Sequence, residues 1–225
     1  SLAAVWDSTL WIPFAIGDSL FKDSTYWFPP PTPDEKSMEL MEIGFTYIQS
    51  GLYSEAIIGF SEALALQTQV LDADYFQEFT IDEEIIHQEF IDALRINLTI
   101  DSLNTAPYFF LSLCYTQTEQ LDSAVVNMKK YLDLTQEDYR GYLLLAEIYS
   151  KNLEWLSSLE SYQQVVWIQP DNVDARNGVA LSLFELADYP QALKAYENVL
   201  KIDPYHYDSF FHIGKIFIIL EDFTN

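Results

Sequence analysis

The sequence predicts an all-α fold, a solenoid of antiparallel helix pairs preceded by an extended aromatic and proline-rich arm. Three observations carry this. Segments starting near Ser37, Thr105, Tyr139, Val173 and Tyr207 align with one another, the last four spaced by 34 residues and the first two by 68. Within each segment a small residue is flanked by large apolar ones at helical spacing. Prolines stand where the second helix of a segment has to stop.

The register is explicit. Gly44, Ser112, Ala146, Ala180 and Gly214 share the small position. One residue earlier stand Ile43, Leu111, Leu145, Val179 and Ile213, and three later come Tyr47, Tyr115, Tyr149, Leu183 and Phe217. A second small position holds Ala56, Ala124, Ser158 and Ala192, followed four residues on by Phe60, Met128, Tyr162 and Tyr196. Each unit therefore reads as a helix, a short turn and a second helix, ending at Thr68, Gln136, Pro170 and Pro204.

A fixed period of this length is the mark of a repeat array. The spacing and these positions, best developed in Gly178 to Pro204 and in Gly44 to Ala63, resemble the tetratricopeptide repeat family. The resemblance covers roughly 190 residues. It implies a right-handed superhelix and a role in protein–protein binding without catalysis. The units fall near 37–70, 105–138, 139–172 and 173–206, with an incomplete one at 207–225. Residues 71–104 fill one repeat length but fit poorly. A frame shifted by four puts Ile86, Phe90 and Ala93 at second-helix positions, and Asp72, Asp74, Glu78, Asp82, Glu83, Glu84, Glu89 and Asp92 face Arg95 alone. This segment is expected to be a degenerate repeat, its first helix short or replaced by a loop before Glu83.

Residues 1–33 belong to no repeat. They carry Trp6, Trp11, Phe14, Phe21, Tyr26, Trp27 and Phe28, and then Pro29, Pro30, Pro31 and Pro33. A proline run favours a stiff polyproline spacer. Thr32 is placed to cap the first helix, Pro33 to open it, and Glu35 to close a capping box.

Composition narrows the partners. The chain of 225 residues has 35 acidic and 11 basic side chains, a formal charge of −24 at pH 7. Nucleic-acid binders cluster Lys and Arg against phosphate, and Lys129–Lys130 is the only adjacent basic pair. Anionic membrane surfaces are disfavoured for the same reason. Apolar residues make up 49%, which argues for a folded chain. The longest apolar stretch, Phe210 to Leu220, is broken by His212 and Lys215 and is too short to span a bilayer. One cysteine cannot form an intrachain disulfide. Few Lys and many Ser, Thr and Tyr are the single hint of an extracytoplasmic setting, and the compartment stays open.

Chemistry finds no anchor. Gly59-Phe60-Ser61-Glu62-Ala63 is close to a nucleophile elbow, but Phe60 and Ala63 sit at helical repeat positions, whereas an elbow needs a strand and a sharp turn. Glu84 and His87 have the spacing of a carboxylate-bridged metal bundle but no second copy. Asp72-Ala73-Asp74 opens like a calcium loop, yet Gln77 stands where glycine is required. Cys114 reads as a small buried thiol. Pro30 and Pro33 have PxxP spacing without a flanking Arg, so a rigid link is the better reading. Asn97-Leu98-Thr99 is a glycosylation sequon, meaningful only in a secreted chain. No metal or cofactor is expected, nor an enzyme.

The resemblance implies a concave groove lined by first helices. Carried onto this chain, its lining includes Phe109 and Leu113, then Arg140, Leu143 and Glu147, then Asn177, Leu181 and Phe184, and finally Phe211 and Lys215. One branch of the family grips chaperone carboxylates with a Lys/Asn/Arg clamp. Met41 and Phe45 stand where that clamp needs Lys and Asn, which argues against a co-chaperone. The groove is expected to suit an apolar, aromatic or basic segment of another protein.

The fifth unit reaches Asn225 before a second helix. Its first helix is expected to expose Phe210, Phe211, Ile213, Ile216, Phe217, Ile218, Ile219 and Leu220. A patch of that size calls for a partner or for further chain to cover it. The arm is the candidate cover, packing on the last repeat of another copy; the alternative is that it folds back as an N-terminal cap on its own solenoid. In the first case Trp6, Trp11, Phe14, Trp27 and Phe28 of one copy meet Phe217, Ile218 and Leu220 of the next, and a homo-oligomer or filament follows.

Overall fold

The computed structural model describes residues 32–66 and 88–222. Among them are ten helices and no strand. They are α1 (Pro33–Gln49), α2 (Tyr53–Ala65), α3 (Gln88–Ile100), α4 (Ala106–Gln117), α5 (Leu121–Thr135), α6 (Tyr139–Lys151), α7 (Trp155–Ile168), α8 (Val173–Glu185), α9 (Tyr189–Ile202) and α10 (Tyr207–Asp222). The aromatic arm and the acidic stretch with Asp72, Asp74, Glu84, Ile86 and His87 lie outside the described residues.

Helix starts and stops follow the sequence signals. The Thr32 hydroxyl accepts from the Glu35 amide at 3.2 Å, and the Glu35 carboxylate accepts from the Thr32 amide at 2.7 Å. This is the expected capping box, with Pro33 in the first turn. Asp138, Asn172 and Asp188 cap α6, α8 and α9 in the same way. Helices α7 and α9 end two residues before Pro170 and Pro204.

The small positions are where paired helices touch. Gly44, Ala56, Ser112, Ala124, Ala146, Ser158, Ala180 and Ala192 are all buried. Their size lets the backbones approach closely enough for hydrogen bonds between helices. Ser112 Oγ donates to Ala124 O at 2.9 Å, and Ser158 Oγ donates to Ala146 O at 3.0 Å, which is the same pair of positions with the donor reversed. At Gly44 even a methyl group would collide with the Phe60 ring.

The turn inside each unit also repeats. Gly51, Glu119, Leu153 and Ala187 have φ of +73°, +57°, +59° and +61°. The amide of the following residue then donates back to the helix: Leu52 to Tyr47 O at 2.8 Å, Gln120 to Tyr115 O at 2.8 Å, Glu154 to Tyr149 O at 2.9 Å and Asp188 to Leu183 O at 2.9 Å. This is a Schellman closure, which satisfies carbonyls that a helix end leaves open. The left-handed residue turns the chain so that its successor stands at the N-cap position of the next helix.

The first helix pair departs from a regular array. Were residues 71–104 a full unit, α2 would lie one unit away from α4. Instead Phe60 of α2 stacks on Phe110 of α4 with ring centroids 4.3 Å apart. Phe90 of α3 meets Phe60 edge-on at 6.1 Å. One core joins α1 to α6 through these rings, with Met41, Ile57, Leu94, Phe109, Tyr131 and Ile148 inside it. Phe90 is buried and Ala93 packs against this core. Smaller clusters follow around Val165 between α6, α7 and α8, and around Tyr196 between α8, α9 and α10.

Candidate protein-binding surface

The residues expected to line a groove divide into a buried set and a more exposed set. Phe109, Leu113, Arg140 and Leu143 are buried, so they are not available to a peptide; this corrects the groove assignment for α4 and the start of α6. For Phe109 and Arg140 the cause is the first helix pair. Phe109 packs edge-on against Phe110 and Tyr131, at 5.7 and 5.1 Å, inside the core that α2 completes. Leu143 packs with Ala146, Tyr162, Val165 and Ala175.

Arg140 is tied up as a staple. Its guanidinium pairs with Asp138 at 2.8 Å, both side chains nearly buried, and donates to Leu64 O at 3.2 Å. The Tyr131 hydroxyl donates to the same carboxylate. Burial opposes ionisation of Asp138, but the Arg140 hydrogen bond and charge, with the Tyr131 hydroxyl, outweigh it and hold the carboxyl below its ordinary range. Burial, reinforced by the Asp138 charge, pushes the Tyr131 phenol up. The identity of Arg140 gave no sign of this, because its partner Leu64 lies far away in sequence.

The more exposed set lies on α8 and α10. Phe184, Phe211 and Lys215, expected to share a groove, come together here. Lys215 Nζ lies 4.8 Å from the Phe211 centroid and 5.6 Å from that of Phe184. His212 joins them unforeseen. It stacks on Tyr196 at 5.3 Å and meets Phe184 and Phe211 edge-on at 5.3 and 5.4 Å. Its Nδ1 donates to Asp208 O at 2.9 Å, as a carbonyl can only accept.

Acids flank this surface. Burial, with the charges of Glu185 and Asp208, pushes the Tyr196 phenol up. Burial pushes up Tyr162 likewise, with Glu147 and Asp174 contributing. Asn177 and Leu181 are half-buried beside these residues, and the Asn177 Oδ1 has no hydrogen-bond partner among the described residues.

The opposite feature of α10 is its bare apolar side. Phe210, Phe217 and Ile218 are 54%, 52% and 64% exposed, and Leu220 is also exposed. Ile216 is buried against α9 and Ile213 is half-buried, which corrects the expectation that the whole apolar run is exposed. Covering each such side chain is worth about 1.5–3 kcal/mol.

Of the motifs set aside on sequence grounds, those at Ser61, Cys114 and Asn97 sit in helices. Ser61 is half-buried in α2 and donates to Ile57 O at 2.7 Å. Cys114 is buried, and burial pushes its thiol up to about 12, where it is protonated at neutral pH. Asn97 lies within α3, its Oδ1 accepting from Asn104 at 3.0 Å. Among the described residues no three His, Cys, Asp or Glu side chains group to hold a metal ion. Among them too, no helix is long and apolar enough to cross a membrane. The hint of an extracytoplasmic setting finds no support in the fold.

No protein-family model and no curated protein matches the chain. Solved structures do. A crystal structure of MamA is 19% identical over 65% of this chain and 84% of its own, with a TM-score of 0.55. A second MamA crystal structure is 16% identical over 76% of this chain and 93% of its own, with a TM-score of 0.53. TTC0263, a thermophilic TPR protein in Thermus thermophilus, is 15% identical over 81% of this chain and 99% of its own, with a TM-score of 0.51. The likeness is one of fold: this chain has the tetratricopeptide-repeat architecture.

Proposed function

We propose that the chain is a non-catalytic protein–protein interaction scaffold that joins copies of itself head to tail. The apolar arm of one copy covers the bare side of α10 on the next, giving an oligomer or filament. The observation that carries this is the exposure of Phe210, Phe217, Ile218 and Leu220 along one helix. An exposed apolar patch of that kind is a contact surface. Among the described residues the outer side of α1 exposes Glu39, Glu42 and Thr46 with one large apolar side chain, Met38. That leaves the arm, with Trp6, Trp11, Phe14, Trp27 and Phe28, as the complement. Contacts between unlike surfaces repeat without two-fold closure and so build rings or helical filaments.

Electron microscopy of the purified chain, together with its mass as a function of concentration, tests this reading. Ordered polymers support it. Isolated particles of one-chain mass at every concentration refute it.

The cluster on α8 and α10 favours a second reading, an adaptor whose groove takes a segment of another protein. Phe184 and Phe211 offer apolar rings, while Glu147, Asp174, Glu185 and Asp208 favour a basic segment. A Phe184→Ala, Phe211→Ala variant that still self-associates but loses a peptide partner supports it.

A further inference from the structure

We infer that His206 is a pH-sensitive latch on α10: the neutral imidazole caps the helix, and its protonation releases the first turn. The latch is separate from both readings of the function, yet it bears on each, because α10 carries Phe211 and Lys215 as well as the bare apolar side.

Register brings the residue into view. Asp138, Asn172 and His206 are spaced by 34 residues, and each stands immediately before a first helix, α6, α8 or α10. Each accepts an amide of that helix's first turn with its side chain. Asp138 Oδ1 accepts from the Arg140 amide at 3.0 Å, Asn172 Oδ1 from the Ala175 amide at 2.8 Å and His206 Nδ1 from the Ser209 amide at 3.2 Å. Amides of a first turn meet no carbonyl of their own helix, so the cap is their partner. The Ser209 hydroxyl lies 2.9 Å from the same nitrogen. Ser209 is fully buried, so an amide that loses Nδ1 is not rehydrated in place. The three caps differ in chemistry. Asn has no proton to gain near neutrality, and Asp ordinarily keeps its acceptor there. A histidine nitrogen accepts only while it carries no proton, and histidine changes charge between pH 5 and 8.

Protonation undoes the cap. A proton and the Ser209 amide compete for one lone pair on Nδ1, so the imidazolium gives up the amide. The buried amide is then left without an acceptor, which is costly. The new positive charge also sits at the positive end of the α10 dipole. Stability from the cap is full where the imidazole is neutral and is lost as pH falls through the histidine range. His212 gives the contrast within the same helix. Its Nδ1 donates to Asp208 O, so a second proton, on Nε2, leaves that bond in place. The elements packed against α10 are α8 and α9. Their ionisable groups are Asp174, Arg176 and Glu185 on α8, and Tyr189, Lys194, Tyr196, Glu197 and Lys201 on α9. Asp203 and Tyr205 precede His206, and Tyr207, Asp208 and Lys215 follow it. Carboxylates, phenols, lysine and arginine ordinarily keep one charge state between pH 7.5 and 5.5, and burial pushes the Tyr196 phenol further up. Over that window the charge changes fall on the two histidines.

Hydrogen exchange of the α10 amides in the full chain tests the latch, with variants compared at the same pH and the same dilution so that intrinsic rates cancel. At pH 7.5 the wild type and His206→Asn, which places at 206 the residue found at 172, are expected to exchange alike. At pH 5.5 the wild type should exchange about tenfold faster than His206→Asn. His206→Ala should exchange fast at both values, for want of a cap. His212→Gln should keep the acceleration of the wild type at pH 5.5. Equal rates for the wild type and His206→Asn at pH 5.5 overturn the latch. An acceleration that His212→Gln abolishes belongs to the other histidine and overturns it too. Exchange of His206→Ala as slow as that of the wild type at pH 7.5 overturns the cap itself. Failure of either functional reading would leave these comparisons intact.

Discussion

The guanidinium of Arg140 donates to the carbonyl of Leu64 at 3.2 Å, across 76 residues of sequence. It fixes the C-terminal end of α2 against the start of α6 and closes half of the groove that a regular array would leave open. Removing the guanidinium leaves the Asp138 carboxylate in the interior without its counter-charge, held only by the Tyr131 hydroxyl and the backbone amide at 140. Arg140→Met is expected to cost about 3 kcal/mol or more, read as a lower midpoint in urea unfolding. Arg140→Lys should recover only part of it, since one ammonium cannot hold Asp138 and Leu64 O in a fork.

The same staple sets an acid limb. The Asp138 carboxyl titrates below its ordinary value of 3.8 in the folded chain. A depressed carboxyl adds stability that is full above the unfolded value and is lost as pH falls through the folded one. Stability from Asp138 is therefore constant near neutrality and declines below about pH 5. Asp138→Asn keeps the helix cap but loses the titration. Thermal melts of that variant between pH 5 and 2 should show a shallower decline than the wild type.

The repeated left-handed turn is a third handle. Leu153 holds φ of +59° with an exposed side chain, so it bears the steric cost with little packing in return. Leu153→Gly is expected to raise stability by up to about 1 kcal/mol, and Gly51→Ala to lower it by about 1 kcal/mol. Equal Tm values for both variants and the wild type would mean that these turns carry no strain.

Much of this was legible beforehand, and the parts that were not share a cause. The capping box at Thr32, the stops before Pro170 and Pro204 and the small-residue contacts at Ser112 and Ser158 all depend on neighbours a few residues away or one period away. The left-handed position was hidden because three of its four occupants are Glu119, Leu153 and Ala187, which carry no glycine signal. The closed groove was hidden for another reason. Period reasoning places Phe109 and Arg140 by analogy with a regular array, and nothing local says that α2 will lie against them. Phe184, Phe211 and Lys215 come together because α8, α9 and α10 do follow the period.

The net charge of −24 bears on assembly as well. Acidic skins repel copies of the chain, while an arm-to-α10 contact is apolar. Adding salt shortens the reach of that repulsion to a few ångströms and should promote association in light scattering. Dissociation on adding salt would assign the contact to charged groups and contradict an apolar one.

The most direct test is to remove residues 1–31, which leaves Thr32 to cap α1, and to compare the mass of both chains by sedimentation across a range of concentrations. The full chain should grow in mass with concentration while the shortened chain stays at the mass of one copy. Two monodisperse monomers, or two chains that assemble alike, would contradict head-to-tail joining through the arm.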